Sequence, residues 1–282
     1  MEVYRRTIYG ATLQAAQFFG IPALIQNFST LNEKLSIQSS ATLGANEMPT
    51  VGYLVIGNGG HMSVPGQDDI PLISNKIHKA DDASPFKLFP FVLRPVNNDI
   101  NATQRQRFAL RKIIDIRGDD YIAYYGRRFD KQMLTIVPER RFVDKGNTTI
   151  TLFEPTSDQH NPVPQDLSPT AVNTVKGEYL SASVKLKIVL DSFDAEEILN
   201  SAMILHNSED YAFISEIGLV SGVNRTVSVP NGTGSTFTFN EVIAAQVTHH
   251  ISALQPVKSQ RGGFDIDLEV GAIEPLFKLS DQ

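Results

Sequence analysis

Residues Phe264 to Val270 read Phe-Asp-Ile-Asp-Leu-Glu-Val, apolar and acidic by turns without a break. A period of two sends successive side chains to opposite faces of a strand, so one face is apolar and the other carries Asp265, Asp267 and Glu269. Leu180 to Leu190 follows the same rule, with Val184, Leu186, Ile188 and Leu190 on one side and Lys185 and Lys187 on the other. Strands of this kind stand only in sheets that bury their apolar face. That requirement points the chain toward a mostly β fold.

More strands are expected along the chain. Val51 to Ile56 is a buried strand running into Gly57-Asn58-Gly59-Gly60-His61. Met133–Val137 and Thr148–Phe153 make a ribbon around Pro138–Arg141 and a turn at Lys145-Gly146-Asn147. Tyr211–Val220 is another strand, and Arg225–Val229 with Ser235–Phe239 flank a hairpin tip at Pro230–Gly234. Glu241–Leu254 fits helix or strand equally well. Helices are expected over Tyr4–Phe19, stopped by Gly20 and Pro22, and from Asp194 to His206-Asn207 with Ile198, Leu199, Ala202, Met203 and Leu205 as its buried stripe.

The stretch Phe86–Asp130 reads as strand, turn, helix, turn, strand. Pro95 holds Arg94 extended at the exit of Phe89–Leu93. Asn97, Asn98, Asp99 and Asn101 supply capping side chains for a helix carrying Phe108, Leu110, Ile113 and Ile114. Tyr121–Tyr125 then returns as a strand. From Glu154 to Gly177 prolines and small polar residues replace the apolar pattern, which suits a loop or arm rather than a core. The expected fold is α+β, mostly β: a mixed α/β region over 1–154, a Pro-rich linker or arm over 155–178, and a β-rich, sandwich-like region over 179–282.

Composition excludes several classes. The chain has 282 residues, a net charge of −6 and no cysteine. It can therefore form no disulfide framework, thiolate zinc site or thiol nucleophile, and its charge gives no general attraction to nucleic acid or anionic membrane. No run reaches the roughly 20 apolar residues of a membrane-spanning helix. The Gly57–Gly60 loop lacks the third glycine and following helix of a dinucleotide-binding turn, so a plain turn is expected. His78, Asp81 and Asp82 invite a metal, but their polar, proline-bounded segment reads as a solvated or interface loop. His249 and His250 point to opposite sides of any strand. Asp265, Asp267 and Glu269, spaced by roughly 7 Å, are the ordinary polar face of a half-buried strand. No nucleophile elbow is present. No enzymatic activity and no cofactor are expected.

One cluster does stand out. Arg105, Arg107, Arg111, Lys112, Arg117, Arg127 and Arg128 concentrate positive charge beside Tyr124 and Tyr125. Such a set suits phosphates of DNA or acidic protein surfaces, for example Asp265, Asp267 and Glu269 of another copy. With no nucleic-acid motif in an acidic chain, protein–protein contact is the favoured reading, and Tyr and Arg are common interface anchors.

The strings PFVLRP (90–95), QRQRFALRK (104–112) and YIAYYGRRFD (121–130), followed later by SEIGLVSGV (215–223) and VGAIEPLF (270–277), resemble uncharacterised virion structural proteins of large tailed bacteriophages, those with contractile tails in particular. The resemblance extends over most of the chain. It implies a non-enzymatic structural subunit, assembled in the host cytoplasm into a ring or collar at the tail, baseplate or head–tail junction (neck). Its partners would be other copies of itself and other virion proteins, with no membrane. A capsid-surface or carbohydrate-binding module is the alternative.

Overall fold

The period-two segments become sheet throughout. The computed structural model describes residues 3–64, 72–132, 134–162, 174–231 and 234–277. Met133, 163–173 in the Pro-rich segment and 232–233 at the expected hairpin tip lie outside them. The fold is α+β and mostly β, as the patterning implies. Its contacts divide the chain into two units, residues 1–130 with 190–264, and residues 131–189 with 265–282. The sequence placed its boundary in the Pro-rich segment 155–178 instead. Both units are discontinuous in the chain, and no local change of composition marks such a division.

The first unit is built on an eight-stranded antiparallel sheet. Along its main path the order is β1 (Val3–Arg6), β13 (Thr236–Pro256), β12 (Phe213–Pro230), β2 (Thr50–Gly57), β8 (Asp119–Arg128) and β6 (Val92–Pro95). In addition β5 (Leu88–Phe89) pairs with β2, and β7 (Phe108–Ile116) pairs with β8. The ambiguous segment 241–254 lies inside β13, paired with β12 through Arg225↔Glu241 and Leu219↔His249. Leu31, Tyr53, Val55, Leu93, Leu110, Val220, Val242 and Val247 share one buried cluster. A short ribbon of β3 (His61–Val64) and β4 (Leu72–Asn75) also belongs to this unit.

The helix expected after Asn101 is corrected. The capping signal is real: Asn101 and Gln104 form a reciprocal capping box, but α3 spans only Ala102–Arg105. Phe108–Ile116 is strand β7, joined to β8 by Arg117 and Gly118, both at positive φ (59° and 92°). Two left-handed residues in a two-residue loop match the twist of a hairpin. Pairing with β8 and burial of Phe108, Ala109 and Leu110 outweigh a helical spacing that β-branched Ile113, Ile114 and Ile116 support poorly.

Helix α1 (Ile8–Phe19) starts later than expected, because Val3–Arg6 pairs with β13. Thr7 caps it, and Gly20 closes it in the left-handed region (φ 62°). Within α2 (Leu31–Leu35), the buried side chain of Asn32 donates to Ile37 O (3.1 Å) and Val242 O (2.8 Å) and accepts from Ala245 N (2.9 Å). It thereby bridges the turn after its own helix and the irregular point of β13 where Ala244 has φ 53°. Helix α5 (Ser192–His206) begins at Asp191, whose carboxylate accepts from Asp194 N; Asp194 is its third residue and not its first.

The second unit is a four-stranded sheet ordered β10 (Asn147–Leu152), β9 (Ile136–Asp144), β11 (Thr174–Asp191) and β14 (Gly263–Phe277). Pro138–Arg141 lies within β9, and Lys145-Gly146 alone makes the turn, both at positive φ. The segment 155–178 is less irregular than expected, since it holds the one-turn helix α4 (Ser157–His160) and the start of β11.

Candidate functional site

Most of the basic cluster has its partners inside the chain. Arg107 grips Asp191 with two bonds (Nη1 to Oδ1 3.0 Å, Nη2 to Oδ2 2.7 Å). Arg127 reaches Asp194 (Nε to Oδ1 3.1 Å), and Arg94 forks onto Glu197. These carboxylates follow one another at three-residue intervals from the N-cap of α5, so one helix face meets guanidinium groups from the turn before β7 (Arg107), from β8 (Arg127) and from β6 (Arg94). Asp194 is fully buried, and burial pushes its carboxyl above the usual range despite Arg127. On the other side, Arg111 is buried and its Nε donates to Tyr124 Oη (3.2 Å), which in turn donates to Asp99 (2.8 Å). Arg105 lies 3.2 Å from the Asp99 carboxylate and 4.2 Å from the centre of the Phe237 ring. Arg128 donates to Asn224 Oδ1, Asn240 O and Phe108 O.

The two tyrosines are core residues. Tyr124 is inaccessible and its hydroxyl is pushed well above its normal range, chiefly by burial; burial alone takes Tyr125 to about 12. Lys112 is half-buried opposite Ala123, and Arg117 is exposed at its turn. In the second unit Asp265 pairs with Lys187 (2.6 Å), Glu269 with Arg141 and Ser183, and Asp267 is exposed. Arg105, Arg107, Arg111 and Arg127, and Asp265 and Glu269 on the acidic strand, which the sequence set against one another across copies, thus have partners within their own chain. A buried arginine already held against a carboxylate has less to gain from a second partner.

The sequence also misjudged His78. Far from being a solvated loop residue, it is 2% exposed, sandwiched between the rings of Phe86 and His250, each at 3.8 Å. Its ring nitrogens lie 2.9 Å from Asp82 Oδ2 and 2.9 Å from Glu216 Oε2. Glu216, wholly buried on β12, is the hub. Its Oε1 accepts from Gly59 N (2.8 Å) and Lys87 N (3.2 Å), and its Oε2 accepts from Phe86 N (2.6 Å). Next to it, Ser215 Oγ accepts from Gly60 N (2.9 Å).

The glycine loop is thus an anion nest whose anion is a side chain of the same protein. A Cβ at Gly60 would stand 2.4 Å from Ser215 O, so the loop needs glycine there. Burial pushes the Glu216 carboxyl up, but its donors outweigh that and hold it below the usual range. His250 closes the cluster by donating from Nε2 to Asp82 O (3.0 Å), and burial takes this histidine down to about 4. His249, on the opposite side of β13 as expected, stacks on Tyr4. Nothing in sequence spacing joins His78 to Glu216, and the SEIG string (215–218) carries no sign of the contact.

A different surface is unpartnered. Gly10, Leu13 and Ala16 form the buried face of α1, while Phe18 and Phe19 are 82% and 72% exposed, edge to face with one another. Ile21 and Leu24 follow, more than half exposed, and then Phe28 at 87%. Phe28 has φ 61°, a costly conformation for a bulky residue. Its neighbours hold it there: Ser29 N donates to Gln26 O, Gln246 Nε2 donates to Ser29 Oγ, and Thr30 caps α2. At about 200 Å² per phenylalanine, the three rings alone present on the order of 500 Å². Phe18 and Phe19, in contact edge to face, form one contiguous part of that exposed surface.

Fold and site together define an α+β protein whose ionisable clusters brace its core and whose open chemistry is an apolar surface. Across residues 1–282 the chain matches the model of a family of unknown function, DUF7208, and it belongs to that family. No curated protein and no solved structure matches it.

Proposed function

We propose that this protein is a non-enzymatic structural subunit of a tailed-bacteriophage virion, which joins copies of itself and other virion proteins in the tail, baseplate or neck. The resemblance of its motifs supplies the class. The observation that carries the reading is the Phe18–Phe28 surface, above all Phe28, kept strained and exposed by surrounding hydrogen bonds. Exposed aromatic rings of this kind suit the core of a protein–protein interface, where Phe is enriched. The contact would be driven by apolar burial, with the arginine–carboxylate clusters keeping the subunit rigid.

The test is the protein content of gradient-purified particles, quantified by mass spectrometry. A fixed copy number per particle, retained after a high-salt wash, is expected. Absence from particles whose other structural proteins are all present would overturn the proposal.

A further inference from the structure

The two edges of the four-stranded sheet are protected very differently. Its β14 edge carries Asp265, Asp267, Glu269 and Glu274 with Pro275, and charges and proline are how edge strands ordinarily resist pairing. The opposite edge, β10, reads Asn-Thr-Thr-Ile-Thr-Leu: no charge, no proline, strongly β-prone, and all six residues exposed. Among the described residues β9 is its sole strand partner.

The hairpin shows which backbone groups β10 leaves open. Asn147 and Asp144 flank the two-residue turn, and Phe153 N donates to Pro138 O (3.0 Å) in the same register. Odd-numbered residues therefore bond inward to β9. Thr148, Ile150 and Leu152 turn their N–H and C=O groups outward.

We infer that β10 is a strand-addition site and that its occupant is β10 of a second copy, antiparallel across a two-fold axis. This rests on the assembly reading above. The strand is complementary to itself in one register, Ile150 opposite Ile150 and Thr148 opposite Leu152 of the second copy. Each of those pairs exchanges both outward bonds, no like charges meet, and the apolar side chains Ile150 and Leu152 (49% and 68% exposed) continue as one ridge. A two-fold contact closes on itself. It would join subunits in pairs and leave the Phe18–Phe28 surface for contacts that extend the assembly.

The chain has no cysteine, so cross-linking tests the register directly. In Ile150→Cys, the paired Cα atoms would lie about 5.5 Å apart, within disulfide reach. In Thr149→Cys, two positions out of step, they would be beyond about 7 Å. Mild oxidation is expected to give a disulfide dimer for Ile150→Cys and far less for Thr149→Cys. Ile150→Pro removes an N–H that β9 does not use, and it is expected to halve the mass by light scattering with the circular dichroism unchanged. Equal cross-linking of the two cysteine variants, or an unchanged mass for a folded Ile150→Pro, would overturn β10 pairing. If Ile150→Pro fails to fold, the cysteine pair decides. Unmodified protein that is monomeric alone yet joins other virion proteins would overturn β10 pairing and leave the assembly reading standing. A monomer that also ignores those proteins would end both.

Discussion

Replacing Glu216 by Gln tests the buried hub that organises the first unit. The carboxylate accepts three backbone N–H bonds and faces His78 Nε2, with no access to solvent. An amide keeps one acceptor oxygen. If that oxygen serves Gly59 and Lys87, the new NH₂ group faces Phe86 N–H, donor against donor, and His78 keeps Asp82 as its one carboxylate partner. Charge-assisted hydrogen bonds contribute about 1.5–3 kcal/mol each, and breaking a buried pair by removing one partner costs about 3–5 kcal/mol. The expected loss is therefore about 4 kcal/mol, a large share of a typical 5–15 kcal/mol. Its pH dependence follows from the depressed folded-state value. The contribution is present above the unfolded carboxyl range near 4.3 and disappears as pH falls through the lower folded-state value. Urea denaturation followed by circular dichroism should show Glu216→Gln far less stable at pH 7, with the gap closing in strong acid. A variant within 1 kcal/mol of the parent at pH 7 would refute the hub.

Other outcomes follow from neighbouring features. Burial takes the Glu241 carboxyl up to about 7, so its ionisation opposes folding progressively from about pH 4.5 to 7. Glu241→Gln should raise stability by about 1–3 kcal/mol at pH 8 and change it little at pH 5, as read by denaturant titration at both. Asn32→Ala strips partners from Val242 O and Ala245 N and should cost about 2–4 kcal/mol in the same assay. Phe18→Ser with Phe19→Ser removes exposed rings only; the melting temperature should hold within a few degrees while self-association or partner binding weakens at least tenfold, given about 1.5–3 kcal/mol per buried phenylalanine.

What could be read from the sequence was local. Alternation identified the strands at 180–190 and 264–270, the buried strand at 51–56 and the end of α1 at Gly20, because backbone period and turn chemistry act over a few residues. Phe108–Ile116 was misjudged because its spacing suits a helix, and only pairing across Arg117-Gly118 settles it as strand. Arg107, Arg127, Tyr124 and Tyr125 looked like surface anchors, since nothing nearby reveals that Asp99, Asp191 and Asp194 converge on them. His78 and Glu216 are 138 positions apart, so their contact exists only once β2, β12 and the loop between them are assembled. Conversely, nothing in the spacing of Phe18, Phe19, Ile21, Leu24 and Phe28 marks them as exposed, because apolar side chains give no local sign of which of them stay uncovered.

The central proposal is that this chain works by assembling, and the most direct test is its mass in solution by light scattering, alone and then mixed with the virion proteins proposed as its partners. The account predicts a defined oligomer or a complex of fixed stoichiometry, weakened by changes at Phe18 and Phe19 or at Ile150. A persistent monomer that ignores every partner at micromolar concentration would contradict it.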